Sequence, residues 1–351
     1  MLLELAQRPL DPDRIVAGFA LDPDPATADG LRRLCASAEA GAGLTLLGRL
    51  ALLDRIVVAL RTRAALDALP DAPPLRQPPI LIVGAPRSGT TLLHRTLAQH
   101  PDLRALALWE LMYPLTLGRW HDRRREATDR VRRLRRHAPG LHHLHPLDVD
   151  APEECLWLME PSLRSASFWP TFPVPDYARW LADADADLEA TYDVYGQLIR
   201  HLAAAAPERR LVLKGPGHAR WIPHVRRALP GVVLVWMHRE PADVLPSLSA
   251  LFARAHGAVA PAVDTDRTDA FNRRILLRHL DSDREVGAQH VRFVDLIADP
   301  VAVGLRVQRA VGLEPVPLGP PFPLRAPEPR AQTVFGPEAQ AGLRAYRERR
   351  L

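Results

Sequence analysis

The residues Gly84–Thr91 (GAPRSGTT) have the composition of an anion-binding turn. Two glycines five positions apart allow close backbone approach, Arg87 supplies charge, and Ser88, Thr90 and Thr91 supply hydroxyl donors. The apolar, β-branched run Ile80–Val83 precedes the turn, and a helical pattern from Thr90 to Gln99 follows it. In that context, loop N–H groups and a helix N-terminus converge on one concave phosphate site. ATP- and GTP-binding loops carry Lys directly after the second glycine. Here that position is Thr90, so a γ-phosphate would lose its main charged contact. No strand-like run ends in an Asp placed for Mg²⁺, which favours a phosphate ligand that needs neither Mg²⁺ nor a γ-phosphate.

A second group lies downstream. After the strand-like Val232–Met237 come His238-Arg239-Glu240-Pro241 and, eight residues beyond Arg239, Ser247. An Arg at a strand's carboxyl end and a Ser about two helical turns later can share one phosphate. An ion pair of Arg239 with Glu240 or Asp243 fits the sequence equally well. A third strand-like run, Leu211–Leu213, ends at Lys214, the only Lys in the chain.

These residues need a scaffold that brings strand ends together. Strand-like runs at 80–83, 211–214, 232–237 and 291–294 each lead into a helical pattern, which implies an α/β fold with a parallel sheet. Residues 1–78 read as a helical N-terminal segment ending in the Pro-rich stretch Pro70–Pro79, and 79–351 as the main domain. Within it, about 103–205 shows no clear strand and reads as a helical insertion capping the site. Pro315–Pro329 reads as a loop and Pro337–Arg350 as a helix.

Composition narrows the function classes. The 351 residues are 47% hydrophobic and 25% charged, and the net charge of +5 is too mild and scattered for nucleic acid binding. The densest basic run, Arg123 to Arg136, reads as a solvated helix face. Cys35 and Cys155 have no metal spacing and fit a reducing compartment. The N-terminus has Glu4 in its apolar stretch and no basic start, and no stretch is long enough to span a membrane, so the expected location is cytoplasmic. His142, His143 and His145 beside Asp148 and Asp150 lack helical i, i+4 spacing, so no metal is assigned.

The combination of PRSGTT (Pro86–Thr91) with the HREP…S element (Arg239 to Ser247) resembles the sulfotransferase superfamily. It is most similar to a bacterial sulfotransferase group with WE, PEEC and LKxPxH signatures, here Trp109-Glu110, Pro152–Cys155 and Leu213–His218. The resemblance runs from about residue 44 to the C-terminus. It implies a P-loop-like three-layer α/β fold and metal-independent sulfonate transfer. The donor would be 3′-phosphoadenosine 5′-phosphosulfate (PAPS), and the acceptor a hydroxyl or amine of a small molecule or sugar. By position, Arg87, Ser88, Gly89, Thr90 and Thr91 would hold the 5′ phosphosulfate, and Arg239 and Ser247 the 3′-phosphate. Relatives that stack adenine on a Trp after the loop differ here, where Leu92 stands.

Such a transfer needs cations at the bridging oxygen and a base for the acceptor's proton. Arg87 and Lys214 are the cation candidates. Glu110 leads as base, with His218 second. A capping or Arg-paired Glu110 and a structural His218 are the competing assignments. Glu153 and Glu154 contact the acceptor or serve a helix start. The aromatic residues Trp109, Trp120, Trp157, Phe168, Trp169, Phe172 and Trp180 line an acceptor pocket or form core. A small-molecule kinase and a non-catalytic nucleotide-binding protein are the alternative functions.

Overall fold

A computed structural model describes residues 1–40, 43–119, 121–137, 147–183, 188–282, 287–322 and 335–351. Trp120, His142, His143 and His145 lie outside them, as does much of the 315–329 loop. Among the described residues, five parallel strands form one sheet: β1 (Ile80–Gly84), β2 (Leu103–Arg104), β3 (Arg210–Lys214), β4 (Val233–His238) and β5 (Gln289–Arg292). Their order is β2-β3-β1-β4-β5, so the strand that feeds the glycine loop is central.

The described residues before the sheet form α1 (Leu2–Ala6), α2 (Pro12–Gly18), α3 (Pro25–Ala40) and α4 (Leu46–Asp67). Their starts are encoded locally. Asp11 accepts the Asp13 and Arg14 N–H groups at 2.9 and 3.2 Å, and Thr45 accepts that of Gly48 at 3.0 Å. After β1 comes α5 (Thr90–Leu97). Between β2 and β3 lie α6 (Leu108–Met112), α7 (Arg123–His137), a 3-10 segment Cys155–Ser162, α8 (Pro175–Asp183) and α9 (Glu189–Ala203). A 3-10 turn Pro216–Arg220 and α10 (Ile222–Ala228) follow β3, and α11 (Pro241–His256) and α12 (Thr265–Ser282) follow β4. The chain closes with α13 (Phe293–Ala298), α14 (Pro300–Ala310) and α15 (Pro337–Arg350).

Strand alternation sends successive side chains to opposite faces. Ile80, Ile82, Val212, Val235, Met237 and Val291 pack with Leu92, Leu93, Leu97, Leu296, Val303 and Val307 of α5, α13 and α14. Leu81, Val83, Leu213, Leu234 and Trp236 pack instead with α4, α9 and α10. Helices therefore cover both faces, which makes the fold three-layered. Two expectations change. The 103–205 region holds one edge strand, β2, whose two residues are too short to show alternation. The run expected at 291–294 pairs from Gln289 to Arg292, and Phe293 begins α13. Phe168, Phe172 and Trp169 of the insertion are buried in the core.

One buried ion pair fastens the N-terminal helices to the insertion. Arg55 of α4 donates to Glu160 of the 155–162 segment and to Ser167 Oγ (3.0 Å) and Thr171 Oγ1 (3.1 Å). Its guanidinium lies 4.7 Å from the rings of Trp157 and Phe168 and 5.4 Å from that of Phe172. Glu160→Ala would leave this buried cation without its counter-charge, with only neutral polar and aromatic partners. The expected cost is about 3–5 kcal/mol, read as a lower urea midpoint. A loss below about 1 kcal/mol would mean that the pair does not hold the two parts together.

Burial also lowers the pKa of His94, His218 and His238 to about 3 each, from an ordinary 6.5. Between these values the unfolded chain binds protons that the folded chain refuses, so stability rises with pH across that window. Urea midpoints should fall from pH 7.5 to pH 5. Equal midpoints would contradict neutral, buried histidines.

Candidate active site

The site is built from the carboxyl ends of four adjacent strands, where ligands gather in open α/β sheets. β1 ends in the loop, β3 in Lys214, β4 in His238-Arg239, and β5 runs into Phe293. Gly84 and Gly89 have φ of 129° and 89°. A Cβ on Gly84 would lie 2.4 Å from the Met237 carbonyl oxygen, and one on Gly89 would lie 2.7 Å from the Phe293 ring. Only glycine satisfies both the backbone conformation and the space. Ser88 Oγ donates to the Ala85 carbonyl at 2.6 Å and closes the turn. Arg87 sits at φ 67°, a strained conformation for a side-chain-bearing residue and one that clusters at ligand sites.

Both phosphate elements expected from sequence meet here. Arg87 Nε donates to Ser247 Oγ at 3.1 Å, and Arg239 Nη1 donates to the Arg87 carbonyl at 2.8 Å. The Glu240 carboxylate, one of the two surface partners the sequence offers Arg239, is bound by Arg347. The Arg239 guanidinium lies 4.2 Å from the centre of the Phe293 ring, so an aromatic face adjoins the loop although Leu92 is buried. Sequence reading missed Phe293 because it placed that residue inside a strand.

Lys214 occupies the other flank. Its ammonium is fully buried and donates to Thr91 Oγ1 (3.3 Å), Glu153 Oε1 (2.9 Å) and Glu154 Oε1 (3.0 Å). Burial alone would lower its pKa, but the two carboxylates outweigh burial and raise it, so Lys214 is a cation. Glu153 is buried and also accepts the Glu154 N–H at 2.9 Å, whereas Glu154 keeps 31% of its side chain exposed. A backbone zipper holds this pair: Glu153 N–H to Leu106 O (3.2 Å), Leu108 N–H to Ala151 O (3.0 Å) and Trp109 N–H to Val149 O (3.0 Å).

Two residues expected as bases have other partners in this structure. Glu110 Oε2 accepts the Ala107 N–H at 2.9 Å, and its Oε1 is bound by Arg104 of the edge strand β2. Both oxygens are thus committed, on the far side of β3 from the loop. His218 is fully buried, with Nδ1 2.8 Å from Tyr192 Oη and Nε2 3.5 Å from Cys155 Sγ. Cys155 Sγ in turn donates to the Lys214 carbonyl at 3.2 Å and accepts from Tyr195 Oη at 3.3 Å. Burial pushes the Cys155 thiol up to about 12, so it stays protonated. His218 is part of the packing behind Lys214 and has no open face towards an acceptor.

Among the described residues, no group of three His, Cys, Asp or Glu is arranged to hold a metal ion. No described helix is long and apolar enough to cross a membrane.

Comparison with known proteins matches this architecture. The chain is 28% identical over 255 residues, 68% of its length, to the omega-hydroxy-beta-dihydromenaquinone-9 sulfotransferase Stf3 of Mycobacterium bovis and to that of Mycobacterium tuberculosis. The match spans 64% of those relatives' own length. The fold is shared with the crystal structure of sulfotransferase STF9 from Mycobacterium avium, at a TM-score of 0.72 and 22% identity, covering 99% of this chain and 87% of that one. It is also shared with sulfotransferase STF1 from Mycobacterium tuberculosis H37Rv, at a TM-score of 0.66 and 23% identity, with coverage of 95% and 92%. The model of the Sulfotransferase family matches residues 78–317, more than half of the chain, which therefore belongs to the sulfotransferase family.

Proposed function

We propose that this chain moves a sulfonate group from PAPS to a hydroxyl or amine of a small-molecule acceptor. The observation that carries the reading is the buried Lys214 ammonium, which touches Thr91 of the phosphate loop and Glu154 at once. It puts a fixed cation and a partly exposed carboxylate beside the place where an anion would sit.

The loop suits the donor's 5′ end: its glycines allow close backbone approach, and Arg87, Ser88, Thr90 and Thr91 lie on it and at the start of α5. Arg239 and Ser247 fit the 3′-phosphate, and Phe293 offers a face for the adenine. Transfer forms a bond from the acceptor oxygen to sulfur and breaks the one from sulfur to the bridging oxygen. The bond's electrons remain on the nucleotide phosphate, and the acceptor's proton goes to a base. Glu154 is the base in this reading, because Glu153 is buried and Glu110 is committed elsewhere. Lys214 and Arg87 stabilise the negative charge on the leaving phosphate. Side chains supply the charge at the reacting centre, so the reading assigns no metal.

The acceptor named for the Stf3 relatives is a hydroxylated dihydromenaquinone. An apolar alcohol of that type heads the acceptor panel here, with sugar hydroxyls and amines after it.

Transfer of labelled sulfonate from PAPS tests the assignment. Glu154→Gln should lower kcat by about 10²–10³ while leaving the donor's KM nearly unchanged, as loss of a general base does. Glu110→Gln should lower the melting temperature and leave kcat within about threefold of the original. Full turnover in Glu154→Gln, or a collapse of kcat in Glu110→Gln, would reverse the two roles.

A further inference from the structure

The C-terminal helix α15 packs where the two phosphate elements meet. Leu343 and Tyr346 are buried in one apolar cluster with Ala85 of the loop and Ala242, Val244 and Leu245 of α11. Two consecutive residues of α15 also reach the segment that carries Arg239. Tyr346 Oη lies 3.1 Å from His238 Nδ1, and His238 Nε2 lies 2.8 Å from His290 Nδ1. Arg347 donates from Nε and Nη2 to the two oxygens of Glu240, at 2.9 and 2.7 Å. The residues immediately before and after Arg239 are therefore both held by α15.

This grip has an electrostatic side. Ladder pairing stops at His238, opposite Arg292, and α11 begins only after Glu240. Between those points the backbone lies outside both ladder and helix, and Arg239 is placed by its bond to the Arg87 carbonyl, its stack on Phe293 and the holds on its two neighbours. Glu240 is also a carboxylate adjoining Arg239, and so a rival for its guanidinium and a repeller of an incoming dianion. Arg347 neutralises it in a two-bond fork. The pair is solvent-accessible, with side chains 40% and 26% exposed, and such pairs contribute little to folding. Its effect belongs in ligand binding.

We propose that α15 is the positioning element of the 3′-phosphate end. Tyr346 and Arg347 hold His238 and Glu240 so that Arg239 serves the ligand and not its neighbour, making the site select nucleotides with a 3′-phosphate over those without. The inference rests on Arg239 being the 3′-phosphate anchor.

Calorimetric titration of the full chain with adenosine 3′,5′-bisphosphate and with adenosine 5′-monophosphate tests it, with Arg239→Ala as reference. Arg347→Ala should weaken bisphosphate binding about tenfold or more and change monophosphate binding less than about twofold, as for a weakened charge-assisted contact. Tyr346→Phe, which preserves packing, should move the ratio in the same direction by a smaller factor. Adding Glu240→Gln to Arg347→Ala should restore part of the bisphosphate affinity, which a merely structural role would not do. If Arg239→Ala lowers bisphosphate binding selectively while Arg347→Ala and Tyr346→Phe do not, the positioning role fails and the anchor stands. If Arg239→Ala moves both ligands alike or neither, the anchor fails and the inference with it. Equal weakening of both ligands by Arg347→Ala, without rescue by Glu240→Gln, would also overturn the inference.

Discussion

Lys214 is a fully desolvated cation, and its burial is the constraint around which the rest is arranged. An ammonium removed from water needs every proton satisfied by strong acceptors. Three acceptors meet it, Thr91 Oγ1 and the carboxylates of Glu153 and Glu154, and they come from segments far apart in the chain. The requirement explains much of the surrounding structure. The zipper between residues 106–109 and 149–153 delivers the two carboxylates. Cys155, directly after them, grips the Lys214 carbonyl, and the buried Tyr192, Tyr195 and His218 pack behind it. Glu110, which caps α6 and binds Arg104, stiffens the first half of that zipper.

The opposite flank uses cations of a different kind. Arg87 and Arg239 carry planar guanidinium groups, a type suited to two-bond contact with a phosphate, whereas Lys214 is a compact point charge. Arg87 reaches Ser247 and its carbonyl receives Arg239, so loop and arm are one hydrogen-bonded unit before any ligand is considered. α15, near the end of the chain, closes over that unit through Leu343, Tyr346 and Arg347. The C-terminus is thereby coupled to a loop encoded some 250 residues earlier.

The fold was largely legible in the sequence because its signals are local. Continuous apolar runs ending in Gly84, Lys214 and His238 mark buried parallel strands, and the paired glycines mark the turn that joins β1 to α5. The order β2-β3-β1-β4-β5 and the two-residue strand β2 were not legible, since pairing between distant segments leaves no periodicity. The same limit governed the site. Lys214 at the end of β3 and Arg239 just after β4 could be placed from the apolar runs that precede them. The Glu153–Glu154 contact with Lys214 spans about 60 residues and leaves no local pattern, whereas Glu110 stood out because it follows soon after the loop helix; the structure holds it in a cap and an ion pair. His218 looked available four residues after Lys214, but the chain turns it inward against Cys155 and Tyr192.

The proposed nucleotide site has phosphate anchors at two ends, one in the Gly84–Thr91 loop and one at Arg239–Ser247. Competition calorimetry with adenosine 3′,5′-bisphosphate and ATP–Mg²⁺ addresses it most directly. The expected result is tight bisphosphate binding, undiminished in EDTA and barely displaced by ATP–Mg²⁺. Tight ATP–Mg²⁺ binding with no measurable bisphosphate binding would contradict it.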